Sequence, residues 1–492
     1  MLDQIEAALA ESPEQNVYRY AGRLARVYQA DEPTDKSVKR PAGAIMVHPV
    51  ESPLLAELAT RAARHEKFDS RTGSYKPCDC PRRIADNLLS RGHYPKLPDL
   101  IGFIEAPTIT GTGRLIDRPG YDADSGLFCA FQAIPGYIRP PEAPTMQQAE
   151  TAIGKLRGIF ADFPFVADID HSALMSCLLT ALLRRLLPSA PMFAITAPTA
   201  GTGKTLLCES AAIVATSRRA SVMSLGHDDA ETEKRLTGVY LAGDPVVSID
   251  NIERDLRGDL LCQATTQTHL RLRPLGGSGM LSVPTHSLLI ATGNNLRIVG
   301  DLKRRVVMIR LDAKVERPEH RSFDRDHLAI IGERRGEIIM HVLTIVAAYI
   351  AAGSPAIPGL HAFGGFETWD RMVRRPLIWL GLPDPILTSE ELRAADPELE
   401  ALRLVLSSWY NEFSNQPVTV AAVLSAASSM GQSANEDLRD ALHLVCSEKP
   451  TGLRLGGWAQ RNRDRIIDGL QLKQAGTDGN KKVARWKVIK CG

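Results

Sequence analysis

Regularly spaced cysteines are missing from this sequence of 492 residues. Its eight cysteines are scattered, and no CxxC pair meets a second one. Zinc ribbons and disulfide frameworks both require such spacing, so the pattern argues against both and favours a reducing, cytoplasmic environment. Cys78 and Cys80 are the one close pair, which we interpret as part of a solvated turn rather than as two metal ligands.

Long apolar runs are also missing. The most apolar stretch, residues 173–196, contains Arg184, Arg185 and two prolines. In a membrane-spanning helix of about 20 residues, these residues would have a high free-energy cost. The first 16 residues carry acids where a secretory signal needs basic residues, so we expect a surface helix there. We therefore expect no contact with a membrane.

An excess of one charge sign is missing as well. The chain has 59 Lys and Arg residues against 57 Asp and Glu residues, which gives a formal net charge of +2. This balance does not by itself indicate a polyanionic partner, so any basic surface must be local.

Short apolar strands alternate with helical patterns between residues 171 and 312. This alternation predicts an α/β fold with a parallel sheet. Residues 335–353 have helical periodicity, and we expect a lid helix there. Before the core, residues 44–50 predict a strand, residues 52–68 a helix and residues 114–131 a hairpin.

The segment PTAGTGKT at residues 198–205 predicts a phosphate-binding loop. It follows an apolar strand and precedes a helical pattern, the context that such a loop requires. Pro198 replaces the usual first glycine, at a position that only opens the loop. We expect Lys204 to bridge the β and γ phosphates of ATP and Thr205 to bind Mg²⁺. The predicted nucleotide-binding residues are Gly201, Thr202, Gly203, Lys204, Thr205 and Leu206.

A second strand pattern, DPVVSIDN at residues 244–251, ends in an acid. Asp250 is our candidate for holding Mg²⁺ from the strand next to the loop. The following position, where many such motors carry an acid that activates water, is Asn251. Five nearby acids therefore stay open as the base: Glu253, Asp228, Asp229, Glu231 and Glu233.

Two further segments supply polar groups for the same site. HSLLIATGNN at residues 286–295 ends in an amide that could hold the attacking water, with Asn294 as the first choice and Asn295 as the second. Arg304 and Arg305 precede another apolar strand, where an arginine could stabilise the transition state in a neighbouring subunit.

The order of PTAGTGKT, SIDN, ATGNN and KRRVV resembles the superfamily III helicases and related primase-helicases of phages and mobile elements. The resemblance is strongest over residues 171–321. It implies an AAA+ ATPase core that uses ATP and Mg²⁺ and assembles as a homo-oligomeric ring, typically a hexamer. It also implies translocation on single-stranded DNA through a central pore, in the cytoplasm of a bacterial host. We expect no primase domain, because the candidate acids Asp168 and Asp170 fit a helix N-terminus, and a separate primase or initiator is therefore a candidate partner.

Members of this family carry a pore hairpin between the second and third motifs, and residues 269–285 match it. The segment alternates apolar and polar residues on both sides of GGSG. Arg271 and Arg273 lie two residues apart, so we predict that they share a strand face and contact DNA phosphates. The alternative is a structural edge hairpin.

The C-terminal segment is locally basic. Residues 451–492 contain ten Lys and Arg residues against three Asp residues. Helical patterns followed by a hairpin predict a winged helix, in which a recognition helix carries Trp458, Ile466 and Ile467 towards the core. Contact with a protein is the alternative role. The predicted DNA-binding residues are Arg461, Arg463, Arg465, Lys481 and Lys482.

Together these patterns predict four domains: an α+β domain over 1–140, an AAA+ core over 141–330, a helical lid or linker over 331–395 and a winged helix over 396–492. The leading hypothesis is an ATP-dependent DNA helicase. One alternative is an initiator or loader ATPase that remodels DNA or protein without processive unwinding. Another is a nucleotide-gated DNA-binding regulator, which Asn251 keeps open.

Overall fold

The computed structural model describes residues 1–12, 16–31, 38–273, 279–318, 326–394, 397–428, 433–446, 450–478 and 483–491. The chain divides into two compact units, Met1–Ser389 and Glu390–Gly492. None of the helices in the described ranges combines the length and the apolar character that crossing a membrane requires.

The first part of the larger unit combines short helices with small sheets, as predicted. In chain order it contains α1 (Leu2–Ala10), β1 (Val17–Tyr20), β2 (Arg23–Ala30), β3 (Ala44–Pro49), α2 (Ser52–Ala62), β4 (Glu66–Asp69), β5 (Ser74–Pro77), α3 (Arg82–Arg91), β6 (Gly102–Ile104), β7 (Thr108–Ile109), β8 (Leu115–Ile116), β9 (Gly120–Asp122) and β10 (Leu127–Cys129). Strands β1, β2 and β3 form an antiparallel sheet, and β4 pairs with β5 in a separate hairpin.

The helix predicted over 52–68 is correct at its start and wrong at its end. Helix α2 ends at Ala62, because Ala63 adopts an extended conformation. The chain then forms the hairpin β4–β5, whose turn is closed by Gly73 at φ +64°. Glycine adopts this left-handed conformation without the penalty that other residues have.

The predicted parallel sheet is confirmed. The elements from residue 146 to the end of the unit are α4 (Met146–Ile159), α5 (Asp168–Leu183), β11 (Met192–Ala197), α6 (Lys204–Thr216), β12 (Ser221–Met223), α7 (Asp229–Ala242), β13 (Val246–Ile249), α8 (Asp259–Thr266), β14 (His269–Leu272), β15 (Leu281–Pro284), β16 (Leu288–Asn294), β17 (Val306–Arg310), α9 (His327–Glu333), α10 (Arg335–Ala351), α11 (Glu367–Trp369), α12 (Arg375–Trp379) and α13 (Leu387–Ala394). The five-stranded sheet has the order β12-β13-β16-β11-β17, and all neighbours are parallel. The chain therefore has an α/β core of the kind that carries a phosphate-binding loop.

The helix predicted over 335–353 is present as α10. It is buried on nearly all sides and packs against α4 and α6. A helix that is apolar all round requires such burial. Its action as a lid stays a prediction.

The smaller unit has its own core, centred on Trp409, Trp458 and Trp486. Its elements are α14 (Pro397–Phe413), β18 (Val418–Thr419), α15 (Val420–Ser428), α16 (Ser433–Cys446), α17 (Gly452–Arg461), β19 (Ile466–Ile467), β20 (Leu470–Thr477) and β21 (Ala484–Lys490). The strands form an antiparallel sheet in the order β18-β21-β20-β19. The predicted hairpin after the helices is present as β20 and β21.

The predicted recognition helix is shorter than we expected. Helix α17 ends at Arg461, so Arg465, Ile466 and Ile467 lie beyond it. Asp464 takes a φ of +63°, and its N–H donates to the Leu472 carbonyl of β20. The chain thus turns from the end of the helix towards β20. Ile466 consequently lies on β19 with 58% of its surface exposed and does not face the core.

A buried ion pair connects the start of α5 to the last strand of the sheet. Asp170 is fully buried, and its carboxylate accepts hydrogen bonds from the backbone N–H and the guanidinium of Arg310 on β17. The same carboxylate accepts the N–H of Ala167, which precedes the helix. The interpretation of Asp168 and Asp170 as a helix N-terminus is confirmed.

Replacing Asp170 with Ala should destabilise the larger unit by about 1–3 kcal/mol, because it leaves the backbone N–H groups of Arg310 and Ala167 without their carboxylate acceptor. Asp168 is the matched control, since it belongs to the same helix turn but is exposed and pairs with Arg157. Thermal unfolding should therefore give a clearly lower midpoint for Asp170→Ala than for Asp168→Ala. Equal midpoints would show that the buried pair does not fasten α5 to the sheet.

Candidate nucleotide-binding site

The loop between β11 and α6 has the backbone geometry that brings N–H groups close to a phosphate. Gly201 and Gly203 adopt φ values of +74° and +100°. A Cβ on Gly203 would lie 2.8 Å from Cε1 of Phe163. Glycine is thus required at residue 203 both by the backbone conformation and by the neighbouring ring. Helix α6 begins directly afterwards, so its positive N-terminal end faces the loop.

Phe163 is a contact that the sequence interpretation missed. It lies in the segment FADFPF, and its ring contacts His327 with a centroid distance of 4.8 Å. His327 in turn lies within hydrogen-bonding distance of Ser210 on α6. The repeated phenylalanines before α5 were the available signal.

The Lys204 side chain connects the loop to a second strand. Its Nζ donates to Asn294 Oδ1 at 2.7 Å and to the Thr199 carbonyl at 2.9 Å. Burial lowers the pKa of Lys204, and the Asp250 carboxylate opposes this shift.

The sheet order explains why Asn294 is the residue that Lys204 reaches. Strand β16 lies beside β11, and Ala197 is paired with Asn294 in the register. Both strands end at the same edge, where the loop begins. Because Asn294 Oδ1 accepts from Lys204, its Nδ2 group can donate to a phosphate or to water.

Asn295 has a different role in the structure. It takes a φ of +44°, its backbone N–H donates to the Ala197 carbonyl, and its side-chain amide donates to the Pro198 carbonyl. These contacts belong to the turn after the strand. Of the two predicted asparagines, the geometry favours Asn294 for the water-positioning role.

Asp250 lies at the end of β13, on the other side of β16. Its Oδ1 accepts a hydrogen bond of 2.5 Å from Thr292 Oγ1. Thr292 was not predicted, although it is the polar residue two positions before Asn294 and therefore shares its strand face. Thr292 orients the carboxylate and leaves Oδ2 for another ligand.

Thr205 and Asp250 suit a magnesium ion. The Thr205 side chain is exposed in the first turn of α6, and Asp250 is half-buried. Mg²⁺ usually takes one or two protein oxygens and completes its shell with phosphate and water. The described part of the chain holds no group of three or more His, Cys, Asp or Glu residues arranged to bind a metal by themselves.

The backbone conformation of the residue after Asp250 favours asparagine. Asn251 takes a φ of +51°, a left-handed conformation that asparagine adopts more readily than glutamate. Its Nδ2 donates to Glu253 Oε1 at 3.2 Å. The contact joins two exposed side chains just after the end of β13.

The other candidate acids have different partners or positions. Asp228 caps α7 by accepting the N–H of Glu231, and Glu231 pairs with Arg235. Asp229 and Glu233 are exposed on the same helix. Glu253 is therefore the acid that the geometry connects to the end of β13.

The two candidate arginines differ in their surroundings. They lie in a 3-10 helix over Gly300–Arg305, and both pair with Asp301. Arg305 also donates to Thr266 Oγ1 at 2.8 Å, and its side chain is 13% exposed. The Arg304 side chain is 52% exposed. Of the two, Arg304 is the one placed to reach another molecule.

The predicted hairpin after α8 is confirmed. Strands β14 and β15 are antiparallel, with Arg271 opposite Ser282. Leu270 and Leu272 are buried, whereas Arg271 and Arg273 are exposed. The GGSG tip lies partly outside the described residues.

The predicted C-terminal arginines lie on the surface of the smaller unit. Arg461 is exposed at the end of α17. Arg463 pairs with Asp464, and Arg465 donates to the Asn462 side chain. Lys481 and Lys482 lie outside the described residues.

Comparison with known proteins gives only distant structural similarities. The chain matches no protein-family model and no curated protein. It is similar to an apo structure of the NrS-1 C-terminal region at 12% identity and a TM-score of 0.38, over 88% of this chain and 98% of that one. A second structure of that region gives 13% identity and a TM-score of 0.39, over 89% and 100% of the two chains. The SCCmec type IV Cch active helicase gives 10% identity and a TM-score of 0.32, over 96% and 97% of the two chains. Similarities of this size carry no conclusion about activity.

Replacing Asn294 with Ala should lower ATP turnover by roughly 100-fold, the typical effect of removing a group that is preorganised for the transition state. Binding of a fluorescent ATP analogue should persist, because the loop is unchanged. Asn295→Gly is the matched control, since glycine accepts the φ of residue 295, and its turnover should stay near wild type. If the two variants lose equal activity, the assignment of Asn294 is wrong.

Proposed function

We propose that this chain is an ATP-dependent motor that acts on DNA, with helicase activity of the superfamily III type. The observation that carries the proposal is the contact between Lys204 and Asn294, beside an Asp250 carboxylate that Thr292 orients. A loop lysine, a metal-binding acid and a polar strand end meet at one sheet edge. This is the arrangement that hydrolysis of a bound nucleotide needs.

The residues of the loop would bind ATP through its phosphates. Backbone N–H groups around Gly203 would surround the phosphate oxygens, and Lys204 would exchange part of its present contacts for the β and γ phosphates. Thr205 and Asp250 would hold Mg²⁺, which neutralises developing phosphate charge when bound.

Glu253 is the acid that we propose as the general base. Asn251 positions it through the amide contact, and Asn294 would orient the attacking water from the other side. This division of roles accounts for the lack of an acid at residue 251. A general base at Glu253 favours a motor that hydrolyses ATP over a nucleotide-gated DNA-binding regulator, because the regulator needs no base.

The site would be completed by a neighbouring copy of the chain. The exposed Arg304 would stabilise charge at the γ-phosphate of that neighbour, while Arg305 fixes the 3-10 helix to α8 through Thr266. This proposal agrees with a ring assembly, and a hexamer is the size that the sequence resemblance implies.

DNA contact is proposed for the β14–β15 hairpin and for the smaller unit. Arg271 and Arg273 lie on the exposed side of the hairpin, whose other side is fixed by buried leucines. In the smaller unit, helices followed by the β20–β21 hairpin agree with a winged helix. Phosphate contacts from Arg461 would add a salt-dependent contribution to affinity.

Replacing Lys204 with Ala should abolish ATP hydrolysis, and replacing Arg304 with Ala should strongly reduce it. If Arg304 acts across subunits, mixing the two inactive variants should restore part of the turnover, because some interfaces then combine an intact loop with an intact arginine. Turnover is measured by phosphate release with single-stranded DNA present.

Arg305→Ala is the matched control for the mixing experiment. Without mixing, it should lower turnover less than Arg304→Ala does, because Arg305 contacts residues of its own subunit and would act only through the position of Arg304. No rescue of Arg304→Ala in rings of normal mass would contradict a role across the interface. Full hydrolysis by Lys204→Ala would contradict the nucleotide site itself.

Replacing Glu253 with Gln should lower turnover by roughly 100-fold or more, as expected for the loss of a general base. The neutral amide keeps the size of the side chain, so nucleotide binding should be unchanged. Asp229→Asn serves as the control, since Asp229 is an exposed candidate on α7. A larger loss from Asp229→Asn than from Glu253→Gln would reverse the assignment.

A further inference from the structure

The hairpin β4–β5 exposes two aromatic rings. Phe68 and Tyr75 are directly opposite each other, with ring centroids 5.3 Å apart and an interplanar angle of 64°. Phe68 is 52% exposed and Tyr75 is 67% exposed. In the described part of the chain, the two strands pair only with each other. Apolar rings on such a hairpin gain little from folding and are available for a ligand.

The shape of the hairpin depends on polar contacts rather than on these rings. The Asp69 carboxylate accepts the Arg71 N–H and pairs with Lys76. The Asp69 carbonyl accepts the Gly73 N–H, which closes the turn. At the base, the Cys78 N–H donates to the His65 carbonyl. The aromatic pair can therefore be changed without removing the contacts that hold the hairpin.

Positive charge is in excess in and beside the hairpin. Residues 64–83 carry six Lys and Arg residues against three Asp and Glu residues. The charge of Lys76 is compensated by its ion pair with Asp69, whereas Lys67 is exposed on the opposite strand. Arg82 and Arg83 occupy the first turn of α3, which contains no acid, and positive charge there opposes the helix dipole. A negatively charged ligand would offset this excess.

Exposed aromatic rings beside a local excess of positive charge fit one ligand class in particular. Single-stranded nucleic acid has free base faces that stack on aromatic rings and phosphates that pair with Lys and Arg. In a duplex these faces already stack on one another. A symmetric contact with a second copy of the chain would bring the same positive charges together. The chemistry therefore favours a single strand over self-association.

We propose that the β4–β5 hairpin is a stacking platform for single-stranded DNA, in which Phe68 and Tyr75 contact the bases and Lys67 contacts the backbone. The inference rests on the proposed action of the chain on DNA. It adds a second contact, separate from the β14–β15 hairpin, and gives the N-terminal region a role in binding the strand.

The test measures the affinity of the full chain for a fluorescent oligothymidine by anisotropy, without ATP. The double variant Phe68→Ala with Tyr75→Ala should bind roughly tenfold more weakly or worse, given typical stacking contributions. The exchange Phe68→Tyr with Tyr75→Phe keeps both rings and should restore affinity. Replacement of both by Leu keeps apolar surface without a ring and should not.

Tyr28→Ala is the matched control, because Tyr28 is an exposed aromatic residue on the separate β1–β2–β3 sheet. Its affinity for the oligonucleotide should stay at the wild-type value. As a direct readout, the fluorescence of Phe68→Trp should be quenched by the oligonucleotide, since stacked bases quench indole. The mass of the assembly is determined under native conditions on the same protein preparation.

The outcomes separate this inference from the proposed function. If the wild-type chain binds no DNA, both fail. If the wild-type chain binds and the double Ala variant binds equally well, only the platform is wrong. Unchanged DNA affinity together with a lower assembly mass would overturn the platform and assign the hairpin to contacts between copies. If the double Leu variant keeps the full affinity for the oligonucleotide, apolar contact and not stacking binds the strand.

Discussion

The parallel direction of the sheet strands is the constraint on which the candidate site depends. Because β11, β13 and β16 run the same way, the residues that follow them emerge at one edge. Strand β16 lies between the other two, so Thr292 and Asn294 face the Asp250 carboxylate on one side and Lys204 on the other. The strands are almost completely buried. Their register therefore fixes these distances.

The sequence was sufficient to predict the elements of this sheet and the residues at their ends. Each strand is a short apolar run that ends in a polar residue, and the loop contains glycines where left-handed conformations occur. Local patterns of this kind are visible along the chain. The contact between Lys204 and Asn294 could be expected only in outline, because it depends on which strand lies next to β11.

Choices between similar residues could not be made from the sequence, because they depend on how the folded backbone orients each side chain. Arg304 and Arg305 are adjacent, and they differ in exposure and in the bonds from Arg305 to α8. Glu253 stands out from the other acids through its contact with Asn251. The path of the chain after α17 likewise depends on the folded backbone, since the Asp464 N–H pairs with a strand that follows later in the chain.

A helicase must couple hydrolysis at the proposed nucleotide site to movement of the DNA bound at the proposed surfaces. The most direct measurement of this coupling is strand displacement on forked DNA carrying a 3′ or a 5′ single-stranded tail, with ATP and Mg²⁺. We expect displacement of one of these substrates, dependent on hydrolysable ATP. Hydrolysis that DNA stimulates without displacement of either substrate would contradict helicase activity and favour the loader alternative.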